Sequence, residues 1–206
     1  MNLQQSLRTH KLLAIVRGPD PDAALAAVLT LADAGVALIE VSLTGADALT
    51  TISRARAELG ADFGLGAGTV VSAQDAQHAV GAGASFLVTP ALGSGVPEAG
   101  RLGVPVLAGA LTPTEVVQAT AIGAAAIKLF PASLGGPGYL AALRDPFPHT
   151  DFVPVGGVDA ALVPEYLRLG AVAVGVGSPL LGDAIRGGDL AALRDRAAAF
   201  RSAVAS

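Results

Sequence analysis

The sequence predicts a (β/α)8 barrel formed as one domain over residues 1–206, with a short helix ahead of the first strand. Three observations predict it. Short apolar runs alternate with helix-compatible segments from one end of the chain to the other, without a linker or low-complexity break. A glycine stands just before every second run, in A-G-V-A-L-I-E-V, G-A-G-A-S-F-L-V, I-G-A-A-A-I-K-L and L-G-A-V-A-V-G-V. The runs in between lead instead into helix-capping residues. A strand-helix-strand-helix unit repeated in this way closes most simply into a barrel, with an open doubly wound sheet as the alternative.

In chain order, Leu3–Arg8 reads as the leading helix and Leu12–Arg17 as the first strand, stopped at Gly18. Asp20 then offers an N-cap and Pro21 the first helical position, and Leu25, Val28, Leu29 and Ala32 fall on one helical face. Further strands are expected at Leu38–Leu43, Gly64–Thr69, Phe86–Thr89, Val106–Ala110, Ala126–Phe130, Phe152–Val155 and Ala173–Val176. Gly35, Gly83, Gly123 and Gly170 mark the even strands, and Asp20, Ser72, Thr112 and Asp159 are the expected caps after the odd ones. Thr112 opens T-P-T-E, the pattern of a capping box. Gly135-Gly136-Pro137-Gly138 reads as a loop or lid after strand six.

Composition narrows the function. With 52% hydrophobic and 15% charged residues over 206 positions, the chain can bury a sizeable core. The net charge of −4 and the scattered Lys and Arg leave no basic stripe, which argues against nucleic acid and anionic membranes but not against a local pocket for a small anion. Without cysteine there is no disulfide or thiol chemistry. The uncharged stretch Ala79–Pro97 is too broken by Gly and Pro for a membrane helix, and M-N-L-Q-Q-S-L-R-T-H lacks the pattern of a secretory signal, so a cytoplasmic location is expected. His10, His78 and His149 have no ligand spacing, and no metal site or cofactor is expected.

Register brings two charges together. Glu40 lies five residues after Gly35, and Lys128 five after Gly123, so they hold equivalent places on strands two and six, which face each other across an eight-stranded barrel. Alternation sends Leu38, Glu40 and Ser42 inward with Ala126, Lys128 and Phe130. On strand four, counting from Gly83 selects Val88, but matching Thr89-Pro90-Ala91 to Phe130-Pro131-Ala132 selects Leu87, which is taken as the inward residue. The residues three before the caps are Arg17, Thr69, Gly109 and Gly156, which puts Arg17 and Thr69 at strand ends where barrel active sites form.

A lysine in the apolar run I-K-L-F suits carbonyl chemistry: a desolvated amine that has given up its proton attacks a ketone to form a Schiff base, and a carboxylate opposite can move protons to and from it. The competing reading is a buried ion pair kept for structure. Arg17 and Thr69 could meet a substrate carboxylate through a guanidinium and a hydroxyl. Gly156-Gly157 after strand seven and Gly177-Ser178 after strand eight lie where barrels bind phosphate through backbone N–H groups.

The strings A-I-V-R-G, L-I-E-V-S-L, G-A-G-T-V, T-P-A-L, I-K-L-F-P-A, P-V-G-G-V and G-V-G-S span nearly the whole chain and resemble the class I aldolases that split 2-keto-3-deoxy-6-phosphogluconate or its galactonate epimer. The resemblance implies that Lys128 is the Schiff-base lysine and Glu40 the general acid/base. It implies that Thr69, Arg17 and Pro90 line the pyruvate end, that Phe130 packs on the substrate, and that the loops of Gly156, Gly157, Gly177 and Ser178 hold phosphate. It also implies a homotrimer acting on a phosphorylated keto acid and releasing pyruvate and glyceraldehyde 3-phosphate. Relatives acting on the gluconate form commonly carry an arginine four residues after the glutamate, where this chain has Thr44, and a threonine where it has Val155. Those departures point toward the galactonate epimer and leave carboxylate binding to Arg17. The alternatives are a phosphate-binding barrel of the epimerase or synthase type, a 4-hydroxy-2-oxoglutarate aldolase, or a non-catalytic binding barrel.

Overall fold

The computed structural model describes residues 1–206 and contains the expected barrel. Eight parallel strands run β1 (Leu12–Val16), β2 (Leu38–Ser42), β3 (Gly64–Gly68), β4 (Phe86–Val88), β5 (Val106–Ala110), β6 (Ala126–Leu129), β7 (Phe152–Pro154) and β8 (Val174–Val176). Each pairs in parallel with its neighbours in the order β7-β6-β5-β4-β3-β2-β1-β8. A bridge from Val155 to Gly175, with the Val172 N–H donating to the Phe152 carbonyl at 3.0 Å, joins β7 to β8 and closes the ring. No helix is long and apolar enough to cross a membrane.

The glycine repeat has a specific origin. Gly35, Gly83, Gly123 and Gly170 all have positive φ, from 82° to 104°. Each ends a helix: the Gly35 N–H donates to the Ala32 carbonyl while the Val36 N–H reaches back to Leu31, and the same two bonds recur at the other three. This is the Schellman arrangement, in which a left-handed residue satisfies the last carbonyls and turns the chain into the next strand. The odd strands end in caps as expected at Asp20, Ser72 and Thr112, the last two as complete capping boxes. Asp159 differs. Its side chain accepts from the Leu162 N–H within a turn, and the helix begins only at Val163. The G-G-P-G stretch is likewise not a free loop: a 3-10 turn over Ala132–Leu134 leads into a helix, Gly136–Arg144, with Pro137 in its first turn, where the missing N–H costs nothing.

Alternation along the strands sorts the core into two shells. Ala14, Ile39, Val41, Leu65, Ala67, Leu87, Ile127 and Leu129 pack outward against the helices. Leu13, Leu38, Phe86, Val88, Leu107, Ala126, Val153 and Ala173 fill the interior. Val88, not Leu87, is therefore the inward residue of β4. The motif match was off by one position, since Pro90 rather than Thr89 is the counterpart of Phe130, and a one-residue slip reverses every face of a strand. Leu3 and Leu7 of α1 (Leu3–His10) join the interior shell and plug the end where the strands begin. Arg8 holds that helix down through paired contacts to Asp151 at 2.7 and 3.2 Å.

Candidate active site

At the opposite end, where the strands finish, the interior opens into a cavity of about 380 Å³. That lies within the range of small-ligand sites. Its wall brings together Arg17, Glu40, Thr69, Pro90, Lys128, Phe130, Val155, Gly156, Gly157, Gly177 and Ser178, every one of the residues singled out in the sequence. The cavity exists because side chains are missing. A Cβ at Gly68 would stand 2.5 Å from Glu40 Oε1, and one at Gly175 would stand 2.6 Å from a methyl of Val155. A Cβ at Gly66 would collide with the Phe86 ring, and one at Gly109 with the Pro90 backbone. Glycine on β3, β5 and β8 thus leaves room for Glu40 of β2, for Phe86 and Pro90 at β4 and for Val155 at the end of β7.

Glu40 is 1% exposed and Lys128 6% exposed. The two nevertheless form no ion pair: the ion pairs of the molecule are Arg8–Asp151, Arg54–Asp22 and Arg101–Glu98. Glu40 Oε2 is buried with no hydrogen-bond partner. Lys128 Nζ lies 5.0 Å from the centroid of the Phe130 ring, within cation–π range. Burial pushes the Glu40 carboxyl above its ordinary value of 4.5, and the positive charges of Lys128 and Arg17 pull it back only in part. A structural pair would lie in contact, because close contact is what offsets the desolvation of two charges. Here two desolvated groups face one cavity with a gap between them.

The backbone adds donors. The N–H groups of Gly156, Gly157 and Gly177 donate to no atom of the protein, and Gly156 and Gly157 have φ of +91° and +80°. Free N–H groups at the rim of a cavity suit an anion with several oxygens. Thr69 has φ +60°, a conformation that costs a β-branched residue about 1–3 kcal/mol. Its hydroxyl lies 2.8 Å from Ser42 Oγ, which in turn lies 2.9 Å from Thr44 Oγ1. No group of three or more His, Cys, Asp or Glu side chains is arranged to hold a metal ion.

Ile15, Ser42, Val158, Gly175 and Pro179 also line the cavity without having been singled out as site residues. Two have a signal in the sequence: Gly175 lies five residues after Gly170, the same count that selects Glu40 and Lys128, and Ile15 of β1 lies two residues before Arg17, on the same side by alternation. Ser42 falls on the inward face by alternation, but its residue type alone names no task. Val158 and Pro179 follow the glycine-containing turns, and no spacing rule reaches them.

A family model described as "Aldolase: KDPG and KHG aldolase" matches residues 3–195. The probable 2-dehydro-3-deoxy-6-phosphogalactonate aldolase of Rhizobium meliloti is 33% identical over 194 residues, covering 93% of this chain and 90% of its own. The 2-dehydro-3-deoxy-phosphogluconate aldolase of Treponema pallidum is 33% identical over 165 residues, covering 79% and 78%. A solved structure described as native KDPGal superposes with a TM-score of 0.87 at 32% identity, over 93% of each chain.

Proposed function

Because the chain belongs to the KDPG and KHG aldolase family, we propose that it is a class I aldolase that cleaves a 2-keto-3-deoxy-6-phospho-sugar acid to pyruvate and glyceraldehyde 3-phosphate. The observation that carries the reading is the buried lysine and buried carboxylate facing one cavity without touching. Lys128 Nζ adds to the C2 ketone, and loss of water from the carbinolamine gives an iminium. Glu40 takes the proton of the C4 hydroxyl, the C3–C4 bond breaks, and its electron pair flows into the iminium to leave an enamine and free the phosphorylated aldehyde. Glu40 then returns the proton to C3, and water releases pyruvate and the free amine. A carboxyl raised by burial serves both directions, since proton transfer is most efficient when the group's pKa lies near the working pH.

Arg17 supplies charge, Thr69 a hydroxyl and Pro90 shape at the pyruvate end. Phe130, 37% exposed, covers the mouth, and the free N–H groups of Gly156, Gly157 and Gly177, with Ser178 beside them, take the phosphate. Val155, buried at 4% exposure, gives an apolar wall where a hydroxyl would have favoured one C4 epimer, so the galactonate form is accepted at least as well as the gluconate form. A homotrimer in the cytoplasm belongs to the same reading; Val71, Val117 and Leu134 expose apolar surface that assembly could cover, and sedimentation analysis tests it. The activity is tested by following pyruvate release from each epimer with lactate dehydrogenase, before and after exhaustive chelation. Release that survives chelation is expected; release that requires an added divalent ion would favour the epimerase-like or metal-dependent alternatives.

A further inference from the structure

Ser42 is buried on the interior face of β2, two residues beyond Glu40, and its Oγ sits between Thr69 Oγ1 at 2.8 Å and Thr44 Oγ1 at 2.9 Å. Three hydroxyls carry three protons, and the two contacts among them use two. If both threonines donate to Ser42, the Ser42 proton has no acceptor among the protein atoms, because Ser42 Oγ has no third partner. A donor without a protein partner at a buried residue is disfavoured, which leaves two directions in which the chain is satisfied within itself. In one, Thr69 donates to Ser42 and Ser42 to Thr44, and the spare proton faces solvent at exposed Thr44. In the other, Thr44 donates to Ser42 and Ser42 to Thr69, and the spare proton belongs to Thr69 on the cavity wall.

We propose that Ser42 is a positioning residue that, with Thr44, sets this hydroxyl chain so that Thr69 donates its proton to the carboxylate of the bound keto acid. An anion at the cavity end accepts only from the second direction and so selects it. Each bond in a chain aligned this way polarises the next. The left-handed backbone of Thr69 keeps its hydroxyl against Ser42, and the Thr69 N–H, which also donates to no protein atom, adds a second donor on the same residue. Thr44 thereby takes a part in carboxylate binding without carrying a charge. The proposal rests on the aldolase reading.

The test is the pyruvate concentration that gives half-maximal borohydride-trapped imine on Lys128, measured for the wild type, Ser42→Ala, Thr69→Val and the double variant. We expect Ser42→Ala to raise that concentration about fivefold, with trapping at saturation unchanged. The double variant should be no worse than Thr69→Val alone, because Ser42 acts through Thr69. Thr44→Val, at an exposed position that leaves folding intact, should raise the concentration about twofold. Ser42→Ala and Thr44→Val with wild-type half-saturation would overturn the relay, as would losses that simply multiply in the double variant. A wild-type protein that traps no pyruvate would overturn the aldolase reading itself, and the relay with it.

Discussion

The two ends of the barrel interior are built by the same strands under the same alternation, yet they differ in almost every physical respect. Where the strands begin, Leu13, Leu38, Phe86, Leu107, Ala126 and Ala173 meet Leu3 and Leu7 of α1 in a dry, filled core. Two residues further along, Leu38 is succeeded by Glu40 and Ala126 by Lys128, while glycines on β3, β5 and β8 withhold the side chains that would have filled the space. One end spends its side chains on stability; the other holds buried charge, an orphaned carboxylate oxygen and a left-handed threonine. Stability and chemistry can thus be altered separately by substitutions a single turn of the alternation apart.

The sharpest contrast should come from Glu40→Gln, which keeps the shape of the open end and removes the carboxyl proposed to carry protons. Cleavage is expected to fall by roughly a hundred- to ten-thousand-fold, as for the loss of a general acid/base, and single-turnover measurements should show imine formation suffering less. Unchanged turnover in the folded variant would assign Glu40 to structure. At the filled end, Leu7→Ala should cost about 2–5 kcal/mol of stability in denaturant unfolding while kcat stays near wild type. A loss of kcat without a loss of stability would dissolve the division between the ends.

A smaller effect concerns the wall between them. Val155 belongs to the interior core and also lines the cavity, so Val155→Thr should shift the ratio of kcat/KM toward the gluconate epimer by about tenfold, within the 1–3 kcal/mol available to such a contact. A wild-type gluconate preference above tenfold, unmoved by Val155→Thr, would show that this position does not set specificity.

The subtlest test is a pH dependence. The Glu40 carboxyl is raised in the folded protein, so its contribution to stability is fully present below the unfolded value near 4.5 and is lost as pH rises through the folded value. Glu40→Gln lacks that loss. Its melting temperature should therefore match the wild type near pH 4 and rise above it progressively toward neutral pH. A difference that stays flat across this range would mean that burial does not dominate the environment of Glu40.

Much of this contrast is legible in the sequence because it depends on spacing. The four Schellman glycines gave the strand count and the phase, and the phase placed Glu40 and Lys128 in one interior. The same count from Gly83 pointed to Val88 on β4; a three-residue motif match overrode it and failed, because local likeness at a strand end does not fix register as firmly as a helix cap does. Asp159 failed as a cap for a related reason, since an Asp side chain bonds a turn as readily as a helix start. The left-handed backbone of Thr69 and the contacts of Ser42 depend on three-dimensional proximity across β2 and β3, and nothing in the order of residues announces them.

On the aldolase reading, the gap between Glu40 and Lys128 holds a keto acid bonded to the lysine. Incubation with pyruvate and borohydride, followed by peptide mass mapping, addresses it directly. One reduced pyruvate adduct per chain is expected, on Lys128, absent from Lys128→Met. An adduct on Lys11, the only other lysine, or no adduct at all, would contradict it.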